Sequence, residues 1–142
     1  MYIKNNLLKE KVKNLILDFS ESAVVEEKTI LKVTLEKMIH FKIGMACIVN
    51  KKKILLGVIT DGDLRRKLIN NQKPWSALLN DDVIDHCKKK PIVINENDNL
   101  NKAINIIRKY KIWDLPVLDK NNRLVGILHL HNLLELIMER KK

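Results

Sequence analysis

Slid against itself by 69 positions (126 − 57), the chain repeats its own apolar pattern without a gap, and this duplication constrains the fold more than any other feature. Gly57 falls on Gly126, Ile48 on Val117, Asn50 on Asp119, Leu56 on Val125, Asp63 on Asn132 and Leu64 on Leu133. Upstream, Val25 meets Ile94, Leu31 meets Leu100, Leu35 meets Ile104, Met38 meets Ile107 and Ile43 meets Ile112. A chain of 142 residues can bury one substantial core but is short for two independent ones, so the copies are expected to share it.

Each copy reads β-α-β-β-α. A short extended piece (Ala23 to Val25; Ile92 to Ile94) precedes a residue able to cap a helix, Thr29 or Asp98. Apolar positions then recur at three and four, as in Leu100, Ala103, Ile104 and Ile107. Two strands rich in branched residues follow, Met45 to Val49 and Leu55 to Ile59, around the polar turn Asn50 to Lys53; the second copy has Leu115 to Leu118 and Leu124 to Leu128 around Asp119 to Asn122. A closing helix runs from about Asp61 to Asn70, and from about His131 to Arg140. Three strands with helices on one side leave an apolar face uncovered, so an α/β (α+β) fold built as a pseudo-twofold pair of these units is expected. The expected boundaries are 1–20 for an N-terminal helix, 21–73 for the first repeat, 74–90 for a linker and 91–142 for the second repeat. Leu8, Val12, Leu15, Ile16 and Phe19 would share one face of that first helix, which either packs on the pair or docks on a partner.

Composition narrows the function. The apolar runs are too short to cross a bilayer, and the opening residues lack the long apolar stretch and small-residue cleavage site of an export signal, so a cytoplasmic protein without membrane association is expected. Cys47 and Cys87 have no second Cys or His at ligand spacing, which argues for free thiols and against a metal site. The formal net charge of +10 would suit a nucleic acid or a phosphorylated ligand, but the basic residues are scattered and few aromatics are present to stack on bases. There is no nucleophile beside a base and no Gly-rich hydrolysis loop, so no catalytic residues are expected.

The stretch Gly57-Val58-Ile59-Thr60-Asp61-Gly62-Asp63-Leu64-Arg65-Arg66 ends a strand and begins a helix, where free backbone N–H groups and the positive end of the dipole attract phosphate. Thr60 either caps the helix or bonds a phosphate or ribose oxygen, Gly62 permits close approach, Asp63 can accept from ribose hydroxyls, and Arg65 or Arg66 can supply charge. In a purely structural role, Thr60 or Asp61 caps the helix and the arginines are solvated. At the equivalent place in the second copy, His129 replaces Thr60 and Asn132 replaces Asp63; His129 and His131 lack a third ligand in sequence and suit hydrogen bonding better than metal.

Two gapless copies with Gly-x-x-Thr-x-x-Asp at the junction resemble the cystathionine-β-synthase (CBS) domain pair over roughly residues 20 to 140. More narrowly, Thr60 to Arg66, then Ile112-Trp113-Asp114-Leu115-Pro116-Val117, then His129-Leu130-His131-Asn132-Leu133-Leu134 look like the C-terminal half of bacterial arabinose-5-phosphate isomerases, which supply the Kdo pathway for lipopolysaccharide or capsule. The resemblance implies a ligand cleft between the repeats, holding AMP, ADP or ATP or a CMP-sugar as a regulatory ligand rather than a cofactor. By that analogy Thr60, Asp61, Gly62, Asp63, Arg65 and Arg66, with Val25 and the Lys42-Ile43-Gly44 wall, serve one site; His129, His131 and Asn132, with Ile112, Trp113 and Asp114, serve the other. It also implies a homodimer of four repeats.

The sugar-isomerase domain that should precede the pair is not in these 142 residues, so isomerase activity is not expected to carry over. Where the family usually has Met-Thr-x-x-Pro ahead of a repeat, this chain has Cys87-Lys88-Lys89-Lys90-Pro91, with Lys in place of Thr. The expected function is ligand sensing coupled to a sugar-phosphate isomerase or nucleotidyltransferase partner. A ligand-free dimerisation scaffold is the alternative, and nucleic-acid binding ranks third.

Overall fold

A computed structural model describes residues 5–139. They divide into two compact units: one is Glu21–Pro91, and the other joins the described parts of Met1–Ser20 and Ile92–Lys142.

In the first unit, β1 (Val24–Glu26) is followed by α2 (Leu31–Phe41), β2 (Met45–Val49), β3 (Leu55–Thr60) and α3 (Asp61–Asn70), the single N-terminal helix α1 (Asn5–Leu8) belonging to the other unit. The sheet order is β1-β2-β3, with β1 parallel to β2 (Val25 opposite Ile48) and β2 antiparallel to β3 (Met45 opposite Thr60). The second unit repeats this with β4 (Ile94–Asn95), α5 (Leu100–Tyr110), β5 (Asp114–Leu118), β6 (Leu124–His129) and α6 (Leu130–Glu139), in order β4-β5-β6 and with Asp114 opposite His129. The β-α-β-β-α reading therefore stands for both copies.

The hairpin turns show why the copies fold alike. Asn50 Oδ1 accepts from the N–H of Lys52 (2.9 Å) and Ile54 (3.0 Å), and Asp119 Oδ1 accepts from Asn121 (2.8 Å) and Arg123 (3.0 Å). Each turn then passes through a left-handed residue, Lys53 (φ 63°) or Asn122 (φ 60°). The first helices end in the same way, on Lys42 (φ 54°) and Lys111 (φ 52°). Their starts differ from the expected Thr29 and Asp98. The N-cap residues are Ile30, which has no side-chain cap, and Asn99, whose side chain accepts from the Lys102 N–H at 2.9 Å. Asp98 instead accepts from the Asn95 N–H at 3.1 Å, closing the turn ahead of the helix.

The core of the second unit is built from Leu100, Ala103 and Ile107 of α5, Leu115 and Val117 of β5, Leu128 of β6, and Leu133 and Ile137 of α6, joined by Leu7, Val12 and Leu15 from the N-terminal segment. Each large aliphatic side chain fully buried here contributes about 1.5–3 kcal/mol.

That segment departs from the continuous amphipathic helix expected over the first twenty residues. It is the four-residue α1, a 3-10 turn at Val12–Asn14 and an extended stretch; the part before Asn5 lies outside the described residues. Backbone pairing to the second repeat draws the chain out of helix. The Val12 N–H donates to the Asp98 carbonyl (2.9 Å), while Leu17 and Ile127 exchange N–H···O bonds of 2.9 and 3.0 Å along the edge of β6.

The stretch 74–90 is built in the same way on the first unit. It holds α4 (Trp75–Leu79), a 3-10 turn at Val83–Asp85, and Lys88, which exchanges backbone bonds with Val58 on the edge of β3 (2.7 and 3.0 Å). At an offset of 71, Leu7 matches Leu78, Val12 matches Val83 and Leu17 matches Lys88. Each repeat is thus preceded by a strap, and each strap closes the sheet edge of the other repeat. Gly57 and Gly126 are the points of closest approach. A Cβ on Gly57 would stand 2.6 Å from Cys87 Sγ and 2.7 Å from the Lys88 carbonyl oxygen, and one on Gly126 would collide with the Leu17 carbonyl oxygen.

Candidate functional site

At the end of β3, Thr60 takes an extended conformation (φ −120°, ψ 163°) and becomes the N-cap of α3. Its Oγ1 accepts from the Asp63 N–H (3.1 Å), while its own N–H and hydroxyl both donate to Asp63 Oδ2 (3.0 Å each). This is a closed capping box, which satisfies two otherwise orphaned donors at the helix start. The other carboxylate oxygen, Oδ1, accepts from Arg66 Nη2 at 2.6 Å. The capping role expected for Thr60 is the one this arrangement fulfils. The cap fixes the carboxylate through Oδ2, and Oδ1 is the oxygen that Arg66 holds.

Grooves run along both flanks of α3. The first, about 460 Å³, is lined by Asp63, Arg66, Lys67, Asn70 and Asn71 of the helix region and by His86, Cys87 and Lys88 of the strap. The second, about 420 Å³, is lined by Leu35, Met38 and Ile39 of α2, Lys42, Ile43 and Gly44 of the following loop, and Asp61 and Leu64. Of the residues assigned to one site by sequence, Asp63 and Arg66 therefore share a polar, cationic groove, while Lys42, Ile43, Gly44 and Asp61 share a more apolar one on the other flank. The Asp61 N–H, bonded to the Gly44 carbonyl (3.0 Å), ties that loop to the helix start. Val25 is buried in β1, and Arg65 is exposed and lines neither groove. A Cβ on Gly62 would meet Arg66 Nη1 at 3.5 Å, an ordinary contact.

The strap side of the cationic groove carries residues that the junction motif does not announce. Asp81 accepts from Lys73 Nζ with both oxygens (2.7 Å each) and lies 2.7 Å from His86 Nε2; the lysine bond first and the histidine bond second hold its carboxyl below the ordinary range. His86 Nδ1 is buried and has no hydrogen-bond partner among the described residues. Cys87 donates to the Ile84 carbonyl (3.3 Å), and burial pushes its thiol pKa up, which makes it a poor nucleophile. Lys88 occupies the place of the Thr in the family's Met-Thr-x-x-Pro pattern. That substitution was the one sequence signal for the strap's part in the groove.

The second junction is chemically different. His129 Nδ1 lies 2.5 Å from Asp114 Oδ1, across the strand pair and largely buried. Leu130 donates to the Trp113 carbonyl (2.9 Å), the counterpart of the Asp61 to Gly44 bond. Trp113 is 68% exposed and Ile112 is half-buried beside it. His131 sits in solvent 3.2 Å from Glu135, its ring 6.1 Å from that of His129, and Asn132 is half-buried. Among the described residues no group of three or more His, Cys, Asp or Glu is placed to hold a metal ion, and no helix is long and apolar enough to cross a membrane.

Comparison with known proteins agrees with this architecture. The sequence profile of the CBS domain matches residues 13–70 and again 82–139, taking in part of each strap. An uncharacterized protein of Helicobacter pylori is 34% identical over 127 residues, 89% of this chain and 37% of its own length. An arabinose 5-phosphate isomerase of Francisella tularensis is 27% identical over 130 residues, and the inosine-5'-monophosphate dehydrogenase of Aquifex aeolicus 32% over 119. The chain spans 37% of the isomerase and 22% of the dehydrogenase. Among solved structures, CBSX2 in complex with AMP superposes with a TM-score of 0.79 at 26% identity, covering 93% of this chain and 98% of that one.

Proposed function

We propose, for a chain that belongs to the CBS domain family and carries two such domains in tandem, a regulatory, non-catalytic role: it senses an adenosine nucleotide or a CMP-sugar and modulates a partner enzyme of cell-surface sugar metabolism. The observation that carries this reading is the placement of the Asp63 carboxylate in one groove with Arg66, Lys67 and Lys88. A carboxylate fixed by a capping box on the wall of a groove suits the vicinal hydroxyls of a ribose. Cationic side chains alongside it suit phosphate, through charge-assisted hydrogen bonds roughly twice as strong as neutral ones.

The adenosine arm is supported by the likeness to CBSX2, whose structure is a complex with AMP. The choice of a sugar-phosphate isomerase as partner is supported by the likeness to an arabinose 5-phosphate isomerase of Francisella tularensis and a probable one of Haemophilus influenzae; the CMP-sugar and the nucleotidyltransferase enter only through the motif resemblance to that branch. The first repeat is the principal site on this reading. Its counterpart has Asn132 in place of Asp63, and its His129 is engaged by Asp114.

Calorimetric titration and thermal shift with AMP, ADP, ATP and CMP-Kdo test this. One ligand per chain is expected, with binding weakened at least about tenfold in Asp63→Asn, the loss of one hydrogen bond to a charged group. Folded protein that responds to none of these ligands would overturn the reading.

The second reading is a ligand-free dimerisation scaffold for a nucleotidyltransferase. It is favoured by the exposed side chain of Ile39 (77%), which lines a groove with Leu35, Met38, Ile43 and Leu64 and so extends an apolar surface of the kind that commonly marks association. A homodimer that co-purifies with such an enzyme while binding no nucleotide would support it.

A further inference from the structure

We propose that Arg66 is the residue through which the first repeat discriminates phosphorylated ligands from bare nucleosides, acting as a displaceable occupant of Asp63; this rests on the nucleotide-binding reading above. The geometry of one carboxylate carries the argument. Oδ2 of Asp63 is already occupied by the N–H and hydroxyl of Thr60. Oδ1 is the oxygen left to face a ligand, and Arg66 Nη2 holds it at 2.6 Å. A ribose hydroxyl reaching Oδ1 either shares it with the guanidinium, through the oxygen's second acceptor position, or displaces the guanidinium, and displacement is the arrangement proposed. The Arg66 side chain is 66% exposed, so displacement costs little more than a surface ion pair.

What happens to the released guanidinium depends on the ligand. With a nucleoside, Arg66 exchanges its carboxylate for water, and binding bears that loss. With a nucleotide, the phosphate takes the place of the carboxylate, in a groove that Lys67 and Lys88 already make positive. Arg66 thus penalises one ligand class and rewards the other from a single position. Sequence left Arg65 and Arg66 equivalent. The structure separates them, because Arg65 lines neither groove flanking α3.

The test measures adenosine and AMP affinity by calorimetry on the full chain and on Arg66→Gln, Arg66→Lys and Arg65→Gln. In Arg66→Gln, adenosine is expected to bind about two- to threefold more tightly, since the competing ion pair is gone. AMP is expected to bind roughly tenfold more weakly, since a charge-assisted bond to phosphate is lost. Arg66→Lys should recover part of the preference for AMP, and Arg65→Gln should leave the ratio of the two affinities at the wild-type value. If Arg66→Gln leaves that ratio unchanged, or Arg65→Gln lowers it equally, Arg66 has no selective role even though the site binds nucleotide. If the wild-type chain binds neither adenosine nor AMP, the nucleotide reading and this inference fall together.

Discussion

His129 and Asp114 stand opposite each other on adjacent antiparallel strands, 2.5 Å apart between Nδ1 and Oδ1, at the place where the first repeat sets Thr60 opposite Met45. One pseudo-equivalent position thus carries a buried imidazole–carboxylate pair in one repeat and a capping hydroxyl beside a thioether in the other. The two junctions therefore differ in their local hydrogen bonding. In the second, the last side chain of the strand is bonded to a carboxylate on the neighbouring strand; in the first, the last hydroxyl of the strand holds a carboxylate that lines a groove.

Removing the imidazole is therefore expected to be a stability change. His129→Ala should cost about 1–3 kcal/mol, because it takes a hydrogen bond from a carboxylate whose side chain is 5% exposed. His131→Ala, with both the histidine and its Glu135 partner in solvent, should stay within about 0.5 kcal/mol. Urea unfolding of the two variants measures the contrast, and equal losses would contradict the structural distinction.

The strap contacts predict an ordering among glycine substitutions. Gly57→Ala forces a Cβ against the Lys88 backbone carbonyl at 2.7 Å and should destabilise by about 1–3 kcal/mol. Trimming the neighbouring thiol in a Gly57→Ala, Cys87→Ala double variant should return little, because the carbonyl cannot move away as a side chain can. Gly62→Ala, with only ordinary contacts inside α3, should be neutral or stabilising by up to about 1 kcal/mol. Thermal midpoints of the three variants provide the measurement.

Acid should act through Asp81. Lys73 and His86 lower its carboxyl pKa in the folded chain. The stability this contributes is complete above the unfolded-chain value, about 3.9, and disappears as pH falls through the lower folded value. Asp81→Asn should consequently melt below the wild type at pH 6, with the gap narrowing as the pH is taken toward 3. A gap that stays constant over that range would show that the carboxylate's charge has no part in holding the strap.

Much of this molecule is written in short-range patterns. The 69-residue offset, the alternation of branched residues and the Asn50 and Asp119 turns specify both β-α-β-β-α units, because strand, turn and helix preferences act between residues a few positions apart. The Thr60–Asp63 spacing likewise announces a capped strand-to-helix junction. What needed the tertiary structure was the choice of partners among distant residues. Leu8, Val12 and Leu15 have helical spacing, yet the chain there gives up a continuous helix to hydrogen-bond with Asp98 and Ile127. The matching strap at 74–90 likewise becomes an edge of the first sheet and one wall of its cationic groove. Arg66 rather than Arg65 reaches Asp63, and His129 meets a carboxylate fifteen positions away. Those pairings are settled by which sheet edge a segment covers and by the register of two strands, and periodicity along the chain specifies neither.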